Sequence, residues 1–172
     1  ILTQNTSWKN VEKALTNLYK YNLINLNNLK EIDAKKLAGI IKSSGYNNQK
    51  AKKIKEFIKF LESKKEITRE NLLKVWGIGP ETADSILLYA FKKPCFVVDA
   101  YTKRIFTRLG FKETKYNELQ YLFEKNIEKD HKIYNEYHAL LVKLGKDLCK
   151  AKPLCNKCPL SINCMYRKNL NK

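Results

Sequence analysis

The chain has 172 residues, 44% of them hydrophobic, and a net charge of +17. That length and apolar content support one domain or two small lobes with a real core and exclude a disordered basic tail. No apolar run approaches a membrane span and no secretory signal is evident, while the charge attracts a polyanion, nucleic acid first.

The chain opens Ile1-Leu2-Thr3-Gln4, apolar and without Met, which reads as the inside of a helix and so as a fragment. Helical spacing of Trp8, Val11, Leu15 and Leu18 predicts a helix over 8–20. Asn27 or Asn28 is a candidate cap for a short helix carrying Leu29 and Ile32. A helix from Asp33 presents Leu37, Ile40 and Ile41 and is stopped by Gly45. Residues 49–63 pattern as an amphipathic helix with a lysine-rich outer face. Thr68 caps a helix over 69–75, broken by Gly77 and Gly79. Helices follow over 81–91, 100–109, 116–127 and 131–148, with an apolar stretch at 96–98 and no convincing strand pair. The fold class is therefore all-α.

The last two dozen residues lose periodicity and hold Cys149, Cys155, Cys158 and Cys164 in a C-x5-C-x2-C-x5-C pattern. Four thiolates this close can converge on one metal centre. Disulfides are disfavoured in a lysine-rich chain without a secretion signal. Ligand count leaves a 4Fe-4S cluster and zinc both open; the single C-x2-C knuckle, where structural zinc usually shows two, favours iron–sulfur. Lys150, Lys152, Lys157 and Arg167 make the surrounding loop basic. Cys95 stands apart and reads as a small buried hydrophobe.

Val75-Trp76-Gly77-Ile78-Gly79-Pro80-Glu81-Thr82-Ala83 lies between two helical patterns. A turn with two glycines lets backbone N–H groups approach an anion, and Pro80 suits the first turn of the next helix. Such a turn can grip one DNA phosphate without reading sequence; a plain helix–helix connection fits the pattern as well. Asp99 follows the apolar stretch and precedes a helix, as an N-cap, a carboxylate at a cleft, or both.

Taken in order, Leu2-Thr3-Gln4-Asn5-Thr6, Gly45-Tyr46-Asn47-Asn48-Gln49-Lys50-Ala51, the glycine hairpin, Val98-Asp99 and the terminal cysteines resemble the helix-hairpin-helix DNA glycosylase superfamily, endonuclease III branch. The resemblance spans essentially the whole chain. It implies two helical lobes: a barrel lobe over 1–93 carrying the hairpin, and a lobe over 94–172 with the catalytic-aspartate helix and an iron–sulfur loop, the active site lying between them. It also implies a further family helix before Ile1, absent from this sequence. Asp99 matches the family's catalytic aspartate, Gln4 the residue that fills the gap left by a flipped base, and Tyr46 the wedge into the opposite strand, an ordinary loop aromatic being the alternative for Tyr46. Gly77, Gly79 and Lys103 complete the expected DNA contacts.

Bifunctional members carry a lysine two residues after the second hairpin glycine, whose amine forms a Schiff base with the sugar. Here that residue is Glu81, which cannot. The expectation is a monofunctional enzyme that flips a damaged base and hydrolyses its N-glycosidic bond with water. Lys74 and Lys103 are the candidate substitute amines. Glu81-Thr82-Ala83-Asp84 and Tyr116-Asn117-Glu118-Leu119-Gln120 resemble the bacterial 3-methyladenine glycosylase branch, which points to alkylated purines; the four-cysteine cluster and its short first gap depart from that branch and from the usual endonuclease III spacing, respectively. Trp8 and Trp76 are candidates to stack on a cationic base, or core residues. The alternatives are a bifunctional glycosylase/AP lyase on oxidised pyrimidines and a non-catalytic, cluster-bearing DNA-binding module. The expected partner is damaged double-stranded DNA, bound by a monomer in a prokaryotic cytoplasm, with no membrane association.

Overall fold

The computed structural model describes residues 1–170, all-α as the periodicity predicts, with no strand among the described residues. No described helix is long and apolar enough to cross a membrane. Packing divides the chain into two units, Ile1–Gly79 and Pro80–Lys172. The division falls inside the glycine hairpin, earlier than the 93/94 boundary expected from sequence. Leu87 and Leu88, which follow the hairpin, are buried, and Leu88 belongs to the same core as Phe96 and Val98.

The first unit contains α1 (Trp8–Lys20), α2 (Leu26–Glu31), α3 (Ala34–Ile40), a 3-10 turn (Lys42–Ser44), α4 (Asn47–Glu62) and α5 (Arg69–Leu73). Its core is Ala14, Leu18, Leu23, Leu37, Ala38, Ile41 and Ala51. The buried stripe of α1 runs through Val11, Ala14 and Leu18, while Trp8 and Leu15 are exposed. The small Ala14, not counted in the apolar pattern, sets the phase. The cap of α2 is Asn25, whose side chain accepts from the Asn27 and Asn28 amides; these two were the expected caps, and they lie within the helix. Thr68 caps α5 as expected, and Asp33, from which the sequence predicts a helix to run, is the cap of α3.

The second unit contains α6 (Pro80–Ser85) running directly into a π-helical turn (Ile86–Ala90), then α7 (Ala100–Leu109), α8 (Tyr116–Asn126), α9 (His131–Asp147) and α10 (Met165–Leu170). Phe96 stacks on Phe123 with ring centroids 3.9 Å apart and meets Tyr134 edge-on. The extended residues 96–98 are fully buried. With no neighbouring strand, their backbone groups are satisfied by side chains: Phe96 N–H donates to Glu124 (2.9 Å), and Gln120 Nε2 donates to the Phe96 carbonyl (2.8 Å). Gly145 on α9 lies against the Tyr101 ring, where an added Cβ would come within 2.5 Å, so α7 and α9 approach closely.

Beneath this segment lies a buried carboxylate. Asp84 is fully buried and accepts from Tyr116 Oη (2.7 Å), Gln120 Nε2 (2.8 Å) and Cys95 Sγ (3.0 Å). Cys95 is thus a hydrogen-bonding member of a polar network and not only an apolar filler. Burial and the Asp84 carboxylate push the Tyr116 hydroxyl well above the ordinary tyrosine range, so it remains a donor.

Candidate active site

Asp99 is the N-cap of α7. Its Oδ1 accepts from the Thr102 amide (2.7 Å) and the Thr102 hydroxyl (2.9 Å). Its Oδ2 points to His138 Nε2 on α9, 3.7 Å away, and both side chains are largely buried. Burial pushes the Asp99 carboxyl up, but His138 and the Thr102 donors outweigh it and hold the group below its usual range. Asp99 is therefore ionised at neutral pH, with one oxygen fixed and the other not hydrogen-bonded.

Glu81, in the first turn of α6, is exposed, yet crowding around its carboxyl raises its pKa. The Asp99 charge raises it further, while His138 and Lys103 oppose the rise. The Asp99 and Glu81 carboxyls, which feel each other's charge, are thus pushed in opposite directions. Lys103 lies on α7 with its ammonium 5.8 Å from the Tyr116 ring. Lys74, the other candidate amine, is exposed and paired with Glu70 (2.7 Å).

The first unit gathers a second group. Lys53 Nζ donates to Gln4 Oε1 (2.6 Å), and Gln4 Nε2 donates to the Gly77 carbonyl (3.3 Å). Gly77 has φ +84°, and an added Cβ would fall 2.3 Å from the Lys53 stem, so glycine is required twice over. Gly79 meets neither limit: a Cβ there would enter open space. Tyr46 sits at φ +44°, a left-handed conformation that is costly for a bulky residue, and 63% of it is exposed. Four residues on, Lys50 belongs to the helix read as having a lysine-rich face, but it is only 2% exposed. Lys50 Nζ donates to the carbonyls of Leu2 (2.8 Å) and Ser44 (2.7 Å) and so ties the Gln4 and Tyr46 segments together. Trp8 and Trp76 are not core residues: 58% and 49% of their surfaces are exposed, and the Lys52 ammonium lies over the Trp76 ring at 4.6 Å.

Cys149, Cys155, Cys158 and Cys164 all line one small cavity, together with Arg108 and Tyr166, and none is in a disulfide. Among the described residues no three His, Cys, Asp or Glu side chains close on a single ion site. Two arginines of α7 hold the loop. Arg104 donates to the carbonyls of Cys149 and Gly145, and Arg108 donates to Cys149 Sγ (3.2 Å) and to the carbonyls of Lys150 and Ala151. The helix that begins at Asp99 therefore also anchors the cysteine loop. Sequence reasoning did not single out Tyr89, Thr102, Lys53, Arg104, Arg108 or His138; only the Arg104/Arg108 pair, four apart on one helix face, offered a local signal.

Residues 1–129 match the family described as HhH-GPD superfamily base excision DNA repair protein. The chain belongs to that superfamily. An HhH-GPD relative from Methanocaldococcus jannaschii, provisionally assigned as a DNA repair glycosylase, is 46% identical over 97% of this chain and 83% of its own. Endonuclease III of Thermotoga maritima is 32% identical over 100% of this chain and 82% of its own. Among solved structures, an H. pylori 3-methyladenine DNA glycosylase bound to 1,N6-ethenoadenine has a TM-score of 0.79 at 34% identity, covering 84% of this chain and 80% of that one. An endonuclease III trapped as a covalent intermediate with DNA has a TM-score of 0.87 at 25% identity, covering 99% and 82%. The all-helical fold is the HhH glycosylase fold of these neighbours.

Proposed function

We propose that this DNA repair glycosylase of the HhH-GPD family acts as a monomer on duplex DNA and excises alkylated purines by hydrolysis, without cutting the strand. The observation that carries the reading is the pair Asp99 and Glu81: an ionised, partly tethered carboxylate with a free oxygen, beside a carboxyl where an amine nucleophile would be needed. The C1′–N bond breaks with its electrons leaving on the base. Asp99 stabilises the positive charge that develops at C1′ and takes the proton of the attacking water. Glu81 has no amine with which to form an imine.

The HhH-GPD neighbour bound to 1,N6-ethenoadenine supports an altered purine as the substrate. Trp8 and Trp76 offer solvent-facing rings for stacking on a cationic base. In this reading Gly77 and Gly79 receive a backbone phosphate, Gln4 fills the vacated space, Tyr46 wedges the opposite strand and Lys103 contacts the backbone. The open space at Gly79 and the exposed, left-handed Tyr46 suit those roles. The net charge of +17 makes the affinity fall steeply with salt.

The test is methylated duplex DNA. Free base is released, and the product strand breaks only after alkali. Borohydride leaves no covalent adduct with the natural protein, while Glu81→Lys, which installs an amine at this position, forms one. An adduct with the natural protein assigns the reaction to another amine, Lys103 first, and to a bifunctional lyase. Turnover-free binding of a lesion leaves only a DNA-binding module.

The cysteines are proposed to hold a 4Fe-4S cluster. The four cysteines line one cavity, and their single C-x2-C knuckle, where structural zinc usually shows two, suits the cluster better. The cluster's contribution when bound is to fix the loop that Arg104 and Arg108 already hold. The purified protein is expected to show a broad visible absorbance band, lost in Cys158→Ala; a colourless protein containing one zinc refutes the cluster.

A further inference from the structure

His138 occupies the middle of α9 with both ring nitrogens directed at named groups. Nδ1 is in close hydrogen-bond contact with Tyr89 Oη. Nε2 is buried without a hydrogen-bond partner and faces Asp99 Oδ2 at 3.7 Å. That gap is too long for a hydrogen bond and too short for an intervening water. A small displacement of either side chain closes it.

Tyr89 reaches the imidazole from the π-helical turn 86–90, a local widening of the helix of a kind often found at functional sites. Burial and the Asp99 charge push the Tyr89 hydroxyl up to about 12, so it stays protonated and able to donate. When Tyr89 donates to Nδ1, neutral His138 must carry its proton on Nε2, aimed at Asp99. Glu81 and Lys103 also bring their charges to this site.

We propose that His138, with its tautomer set by Tyr89, is a positioning residue that presents an N–H to Asp99 Oδ2 and keeps that oxygen ionised and aimed. Thr102 fixes Oδ1 and His138 addresses Oδ2, so the carboxylate is held from both sides. A buried N–H without a partner is costly to keep; it becomes satisfied only when Oδ2 swings toward it. This rests on Asp99 being the reacting carboxylate.

The deciding measurement needs no substrate. In the full-length protein with 13C-labelled aspartate carboxyls, the Asp99 titration midpoint is followed by NMR. In His138→Leu it is expected to rise by roughly one pH unit, and in His138→Gln, whose amide can replace the Nε2 donor, to return toward the natural value. Tyr89→Phe, altered at a half-exposed side chain, shifts it in the same direction by less. The acid limb of single-turnover base release moves with the midpoint. An Asp99 midpoint indifferent to folded His138→Leu overturns the proposal; if that variant does not fold, an unchanged midpoint in Tyr89→Phe does so. Neither result touches the proposed chemistry, which stands or falls separately on base release by Asp99→Asn.

Discussion

Asp99→Asn is expected to lower base release by about 10³- to 10⁴-fold while leaving folding and DNA affinity nearly unchanged. The substitution separates chemistry from architecture unusually well. Asparagine caps a helix about as well as aspartate, and its Oδ1 can still accept from the Thr102 amide and hydroxyl that now hold Asp99. The negative charge and the basic oxygen facing His138 are lost. Single-turnover release from methylated duplex, paired with a binding titration and a thermal melt, reads all three quantities. Near-natural release by this variant would remove Asp99 from the reaction.

Asp84→Ala is expected to be the most damaging substitution for stability, by about 3 kcal/mol, or roughly 6–12 °C in melting temperature. Alanine leaves Tyr116 Oη, Gln120 Nε2 and Cys95 Sγ without the acceptor they share in a fully buried place. The harm reaches the candidate site through the chain. Gln120 also supports the Phe96 carbonyl, and the Val98 amide leans on Tyr116 Oη at 3.5 Å. Both side chains therefore fix the extended residues that deliver Asp99. Urea unfolding followed by circular dichroism checks the value; a loss under 1 kcal/mol would show that the network is dispensable.

The helices were legible in the sequence because their apolar spacing is strong, and α7 lies at its predicted bounds, with Asp99 as its N-cap and the left-handed Gly110 at its C-cap. Errors arose where several residues offered the same chemistry. The run from Asn22 to Asn28 contains four asparagines, and only the three-dimensional path selects Asn25 as the cap. Lys50 looked like one more member of a lysine-rich face; its burial depends on carbonyls of Leu2 and Ser44, distant along the chain. Asp99 and Glu81 stood out through family resemblance and local position. His138 carried no such mark, since a lone histidine in an amphipathic helix means nothing until the π-helical turn brings Tyr89 and the α7 cap brings Asp99 to it.

The chain has two tryptophans, Trp8 and Trp76, and both belong to the Ile1–Gly79 unit. Intrinsic tryptophan emission therefore reports on that unit alone. The Pro80–Lys172 unit, with Asp99 and the cysteines, is spectrally silent at this wavelength and is seen only through its tyrosines or a bound chromophore. Because both indoles are about half exposed, their emission also responds to quenchers in the folded protein. One unfolding titration followed by both tryptophan emission and circular dichroism can thus ask whether the two units lose structure together or in succession, a question that a single global probe would average away.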